Sequence, residues 1–93
     1  MIKSFRNEFA RAAWERRFTK GIPNDAVKVA NRKLMQLNSA LSLNDLKAPP
    51  GNRLERLSGN RSGQYSIRVN DQWRICFRWA AGDAFDVEIV DYH

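Results

Sequence analysis

Two neighbouring segments alternate so regularly that they fix how they must pair. In Gln64–Val69, Tyr65, Ile67 and Val69 alternate with Gln64, Ser66 and Arg68; in Trp73–Trp79, Trp73, Ile75, Phe77 and Trp79 alternate with Arg74, Cys76 and Arg78. Side chains on a strand repeat every two residues, so each segment has one apolar and one polar face, as in an antiparallel sheet covered on one side. A two-residue turn at Asn70-Asp71 would pair Val69 with Gln72 and set apolar against polar faces. A three-residue turn, Asn70-Asp71-Gln72, pairs Val69 with Trp73, Ile67 with Ile75 and Tyr65 with Phe77, keeping every apolar side chain on one side. The same register sets Arg68 directly opposite Arg74, a destabilising like-charge pair. Two kinds of relief are open: Asp86 or Glu88 from a neighbouring strand, or an external anion in the gap.

The remaining chain supplies the other elements. Ile2-Lys3-Ser4-Phe5 reads as a short opening strand. Asn7 can cap a helix reaching about Thr19, with Phe9, Ala12, Ala13 and Arg16 on one face. Gly21-Ile22-Pro23 breaks it, and Asn24 or Asp25 caps a second helix with Val27, Ala30, Leu34, Leu37 and Leu41 as its stripe. Its opposite face carries Lys28, Arg32 and Lys33, either solvated or touching RNA or an acidic partner. Pro49-Pro50-Gly51 ends the helical part. Asn52–Leu57 can form a strand and Ser58–Gly63 a Gly-containing turn. In the final strand Phe85, Val87 and Ile89 share one face; Asp86, Glu88, Val90 and Tyr92 share the other. A loop near Ala80–Ala84 then brings Arg78 to Asp86, as a structural ion pair, and Arg74 to Val90 and Tyr92 on a solvent-facing surface. The expected fold is α+β: a short N-terminal strand, two helices, then an antiparallel sheet with the helices packed on one face, all in a single domain spanning 1–93.

Charge and composition narrow the function. The net charge of +6 favours polyanions or an acidic partner. Residues 1–47 hold ten basic and four acidic side chains, and residues 48–93 hold six of each. Within that balanced half the arginines fall between Arg53 and Arg78, and four acids come after them from Asp83 to Asp91. One local patch should therefore be strongly positive. The single cysteine, Cys76, excludes an internal disulfide and fits a reducing, cytoplasmic setting. No apolar run approaches the ~20 residues that span a bilayer. Arg6, Glu8 and Arg11 interrupt any signal-peptide core. One Cys and one His lack the spacing of a metal site, and no phosphate-cradling glycine loop or G-x-S-x-G is present. No cofactor is expected.

Every basic residue after Lys47 is an arginine. Planar guanidinium forks on a sheet face suit phosphate or carboxylate. The chain closes on Asp91-Tyr92-His93: an acid, a phenol and an imidazole, all able to move protons. Together these groups point to RNA.

At these residues the sequence resembles the RelE/ParE superfamily of bacterial toxins, and within it the HigB or plasmid-maintenance killer branch. The resemblance covers nearly the whole chain. It starts at Ile2-Lys3-Ser4-Phe5 and is densest in Leu57–Gly63, in Ser66–Phe77 and in the closing Asp91-Tyr92-His93. It implies a toxin of a type II toxin-antitoxin system: a ribosome-dependent mRNA endonuclease, without metal or cofactor, in which the 2′-OH attacks the adjacent phosphate. It implies a HigA-like helix-turn-helix antitoxin, in a complex expected to be a heterotetramer, and no membrane. Arg74 matches the arginine of the family's Trp-Arg pair and would hold the phosphate. Asp91 and Tyr92 match a terminal pair implicated in activity, and His93 the histidine after it. Arg53, Arg56, Arg61 and Arg68 are the candidate RNA contacts. The sequence departs from the pattern at Ser58, where relatives can carry a lysine, and at Glu55, a histidine in some. Arginine is a poor proton carrier because its pKa is above ~12, so the general base stays open among Asp91, His93 and Glu55.

Two other functions compete. A ParE-like toxin would inhibit gyrase or another partner by binding alone, yet pure binding needs no proton-transfer groups. A basic RNA-binding module would want surface aromatics to stack bases, whereas Trp73, Phe77 and Trp79 fall on the apolar face.

Overall fold

The computed structural model describes residues 1–91, so the expected end of the last strand at Tyr92 lies outside the described residues. Two helices, α1 (Glu8–Trp14) and α2 (Asn24–Ser39), precede four strands: β1 (Glu55–Arg56), β2 (Gln64–Arg68), β3 (Trp73–Ala80) and β4 (Asp83–Asp91). The strands form one antiparallel sheet in sequence order. Ala10, Ala13, Val27, Ala30, Leu34 and Leu37 pack against Ile67, Ile75, Phe77, Val87 and Ile89, so the core lies between the helices and one sheet face.

The central hairpin takes the register that its alternation demands. Tyr65 pairs with Phe77, Ile67 with Ile75 and Arg68 with Arg74, and the Val69 N–H donates to the Trp73 carbonyl at 2.9 Å. The Asn70 side chain closes the turn by accepting from the N–H groups of Gln72 and Trp73 at 2.9 and 2.8 Å, the local bonding that favours Asn in turns.

Asn7 does cap α1, accepting from the Ala10 N–H at 3.0 Å. Its amide also donates to the Ile89 carbonyl at 2.8 Å and accepts from the Ile89 N–H at 3.2 Å, as a neighbouring strand would. The helix stops at Trp14, short of Thr19. Arg16 turns left-handed at φ 60°, and bonds from Arg16 to Ala13 and Arg17 to Ala12 close the last turn. Arg16 therefore leaves the packed face.

The opening segment lies parallel to β4 through bridges of Ile2 with Ala84 and Phe5 with Val87. In α2 the stripe Val27, Ala30, Leu34 and Leu37 is buried as expected, but Pro23 stands at the cap position and Leu41 is 85% exposed. The helix ends at Ser39 and Ala40 is extended, so Leu41 no longer keeps to the helical period. Lys33, expected on the outer face, is buried.

Two differences shape the polar sheet face. First, β1 is only Glu55–Arg56 rather than 52–57, because Pro50–Asn52 folds as a 3₁₀ turn and Arg53 is left-handed at φ 45°. Second, β4 bulges. Cys76 pairs with Glu88, but Arg78 pairs with Phe85, and Asp86 takes φ 53°. A bulge adds a residue to one strand and reverses the facing of its neighbours on one side. Ala84 therefore enters the core where Phe85 was expected, and Phe85 is only partly buried. Among the described residues no helix is long and apolar enough to cross a membrane.

Candidate functional site

The sheet face away from the helices carries the polar residues of β2, β3 and β4. Its first row is Arg68, Arg74 and Val90, and its second is Glu55, Ser66, Cys76 and Glu88. The expectation of an open face fails at its centre. Ser66 and Cys76 are 0% exposed, and Arg74 and Glu88 each 8%, so β3 is buried on both sides from Trp73 to Phe77. The Arg53 carbonyl receives Arg74 and Arg61 pairs with Glu88, long-range contacts that strand alternation could not reveal.

Arg74 is the fixed point. Its Nε donates to Ser66 Oγ at 2.9 Å and its Nη2 to the Arg53 carbonyl at 2.7 Å. Glu55 Oε1 lies 3.8 Å from the same Nη2, with that carboxylate half exposed. Neutral acceptors thus orient the guanidinium at Nε and Nη2, with the half-exposed carboxylate of Glu55 beside it. Arg68, directly opposite, pairs instead with Asp71. Asp71 thus stands beside Arg68 and Glu55 beside Arg74. Asp86 faces Arg78 at 3.5 Å, the ion pair expected from sequence, and Glu88 takes Arg61 at 3.2 Å and Arg6 at 3.7 Å.

The other arginines divide between the two faces. Arg53 adjoins Arg74 through its carbonyl. Arg61 reaches the same face but binds Glu88 and Gln64. Arg56 does not join them: it pairs with Tyr65, on the core-facing parity, and its guanidinium lies 5.9 Å from that ring. Asp91 pairs with Trp73 while Val90 pairs with Arg74, so period-two alternation directs Asp91 to the face opposite Arg74. There its carboxylate accepts from Gln72 Nε2 at 3.0 Å. Tyr92 and His93 lie outside the described residues. Ser58 opens the 3₁₀ turn Gly59–Arg61 and holds it through its carbonyl.

Two residues carry more weight than their sequence position suggested. Ser66 is a buried hydroxyl that orients Arg74, and its only sequence signal was a small polar residue one step diagonal from that arginine. Asn52 reaches the site through its neighbour Arg53, and nothing in the sequence marked it. Cys76 sits in the second row, where burial pushes its thiol pKa up, Arg61 and Arg74 opposing and Glu88 adding to the shift. A cleft of about 240 Å³ lined by Arg16, Phe18, Val27, Lys28 and Asn31 opens on the helical layer, away from these groups.

Two helices on one face of a four-stranded antiparallel sheet is a fold shared with solved YoeB toxins. The YoeB chain of a heterotetrameric YoeB–YefM toxin-antitoxin complex from Staphylococcus aureus superposes with a TM-score of 0.63 at 18% identity, over 100% of this chain and 98% of that one. The chain belongs to the HigB-like toxins, described as RelE-like toxins of type II toxin-antitoxin system HigB, whose family model matches residues 3–93. It is similar to Endoribonuclease HigB of Proteus vulgaris, 34% identical over the whole of both chains. It is also similar to Toxin HigB-1 of Vibrio cholerae, 46% identical over 65 residues, covering 70% of this chain and 68% of that one.

Proposed function

We propose that residues 1–93 act as one toxin domain that cleaves ribosome-bound mRNA and is held inactive by a HigA-like helix-turn-helix antitoxin. The observation that carries this reading is Arg74: a guanidinium oriented by Ser66 and Arg53 with a half-exposed carboxylate, Glu55, 3.8 Å away. Membership of the toxin family and the full-length similarity to a protein named an endoribonuclease support it. The antitoxin complex is assigned as a heterotetramer, the assembly named for the Staphylococcus aureus YoeB–YefM pair.

The reaction needs a base for the 2′-OH, positive charge on the crowded phosphate and an acid for the leaving oxygen. Glu55 takes the base role, since it is the carboxylate beside Arg74 whereas Asp91 is directed to the other face. It accepts the 2′-OH proton as that oxygen attacks phosphorus. Arg74 holds the non-bridging oxygens as charge builds there, and the P–O5′ bond breaks. The leaving 5′-oxygen takes a proton from Tyr92 or His93. Products are a 2′,3′-cyclic phosphate and a 5′-OH. Arg53, Arg61 and Arg68 track the backbone, and the ribosome bends the mRNA for in-line attack.

End-group analysis of mRNA incubated with the protein, with and without ribosomes, tests this. Cyclic-phosphate ends that appear only with ribosomes are expected. Equal cleavage of naked RNA, or 5′-phosphate products, would overturn the mechanism. Inhibition of gyrase without any RNA cleavage would transfer the protein to the binding toxins.

A further inference from the structure

Asn52 is completely buried between α2 and the segment leading into β1. Its Oδ1 accepts from Lys33 Nζ. Its Nδ2 lies 3.1 Å from Gln36 Oε1, 3.2 Å from the Leu46 carbonyl and 3.3 Å from the Ala48 carbonyl. Gln36 Nε2 also donates to the Ala48 carbonyl, at 2.5 Å. Two side-chain amides therefore bind the 46–52 segment to the helix.

Lys33 is the unusual partner. It is buried, and no carboxylate of the described residues forms an ion pair with it. Burial is the main force pushing its pKa down, helped by Arg32 and Arg68. A buried ammonium on a neutral acceptor is costly to keep, and what it secures here is the carboxamide of Asn52.

One residue further on, Arg53 holds φ 45° and ψ 56°, a conformation that residues with a side chain seldom adopt. Its N–H donates to the Pro50 carbonyl at 3.1 Å, and its own carbonyl receives Arg74 Nη2 at 2.7 Å. The direction of that carbonyl is set by the left-handed turn, and the turn is anchored through Asn52. We infer that Asn52, seated on Lys33, is a positioning residue for Arg74: it aims the Arg53 carbonyl that sets the plane of the guanidinium. The inference rests on the role of Arg74 proposed above.

The test compares Asn52→Asp, Asn52→Ala and Lys33→Met in the full chain, each in two backgrounds, native and Arg74→Lys. In the native background, single-turnover cleavage of ribosome-bound mRNA should slow by about tenfold to a hundredfold, the usual cost of a misaimed group. Affinity for the mRNA–ribosome complex should change by less than about threefold, because binding is spread over other contacts. In the Arg74→Lys background the same changes should cost less than about twofold, since a residue acting through Arg74 is not additive with its loss. A second readout needs no activity: exchange of the Arg74 Nε–H with water, followed by NMR, should accelerate in all three variants. Equal losses in both backgrounds, or native rates in the variants with unchanged Nε–H exchange, would overturn the inference. Should Asn52→Ala not fold, the isosteric Asn52→Asp and Lys33→Met carry the same comparison. An Arg74→Ala protein as active as the native one would remove the functional reading instead, and the NMR measurement would still decide whether Asn52 orients Arg74.

Discussion

The two ends of the polar sheet face treat arginine differently. At one end Arg78 faces Asp86 with both side chains half exposed, and Arg61 and Arg6 converge on Glu88. At the other end Arg74 bonds to a hydroxyl and a backbone carbonyl, with Glu55 farther off. A carboxylate partner cancels charge and fixes geometry together. A neutral acceptor fixes geometry without cancelling charge. The first end holds its arginines with carboxylates, and the second is the end proposed above to meet the phosphate.

Arg74→Ala should break that contrast most severely. Cleavage of ribosome-bound mRNA is expected to fall by about a thousandfold, as when a charge-stabilising donor is lost. Stability should also drop by about 1–3 kcal/mol, because buried Ser66 and the Arg53 carbonyl lose their partner. Denaturant unfolding beside the cleavage assay separates the two effects; an unchanged midpoint would contradict the buried geometry.

Glu55→Gln keeps the volume and removes the base. Cleavage should fall by about a hundredfold with little change in stability, since that side chain is half exposed. A native rate in this variant would return the base to the terminal residues.

Arg78→Ala sharpens the comparison from the other end. Its ion pair is half exposed on both sides, so stability should change by less than about 1 kcal/mol. Cleavage should stay within about threefold of native, as expected for a residue outside the reacting centre. A loss matching that of Arg74→Ala would erase the distinction between the two ends.

Cys76, between the two regions, gives the smallest effect. Burial holds its thiol neutral and out of reach, so a thiol reagent at pH 7 should modify it only as fast as the chain opens. Fast labelling of the folded protein would mean that the second row is exposed.

Much of the fold was legible in the chain. The hairpin register, the Arg68–Arg74 juxtaposition and the Asn7 cap all came from period-two alternation and local capping chemistry. These depend on a few consecutive residues, and each has one arrangement that keeps apolar groups together. The site was legible only in outline. Alternation put Arg68 and Arg74 on the polar face, but Arg56 sits against Tyr65 and Asp91 on the opposite face from Arg74. Ser66 carried only a faint sequence signal and Asn52 none.

The sequence alone determined the order of elements, the apolar face of each strand and the arginine that stands on the other side. Tertiary structure alone decided that Lys33 turns inward to Asn52, that the bulge at Asp86 exchanges Phe85 for Ala84 in the core, and that the Arg53 carbonyl meets Arg74. Periodicity records which face of an element prefers water. It does not record which irregular segment will later meet that face, because such a segment is held by single hydrogen bonds between residues far apart in the chain, with no repeating pattern to announce them.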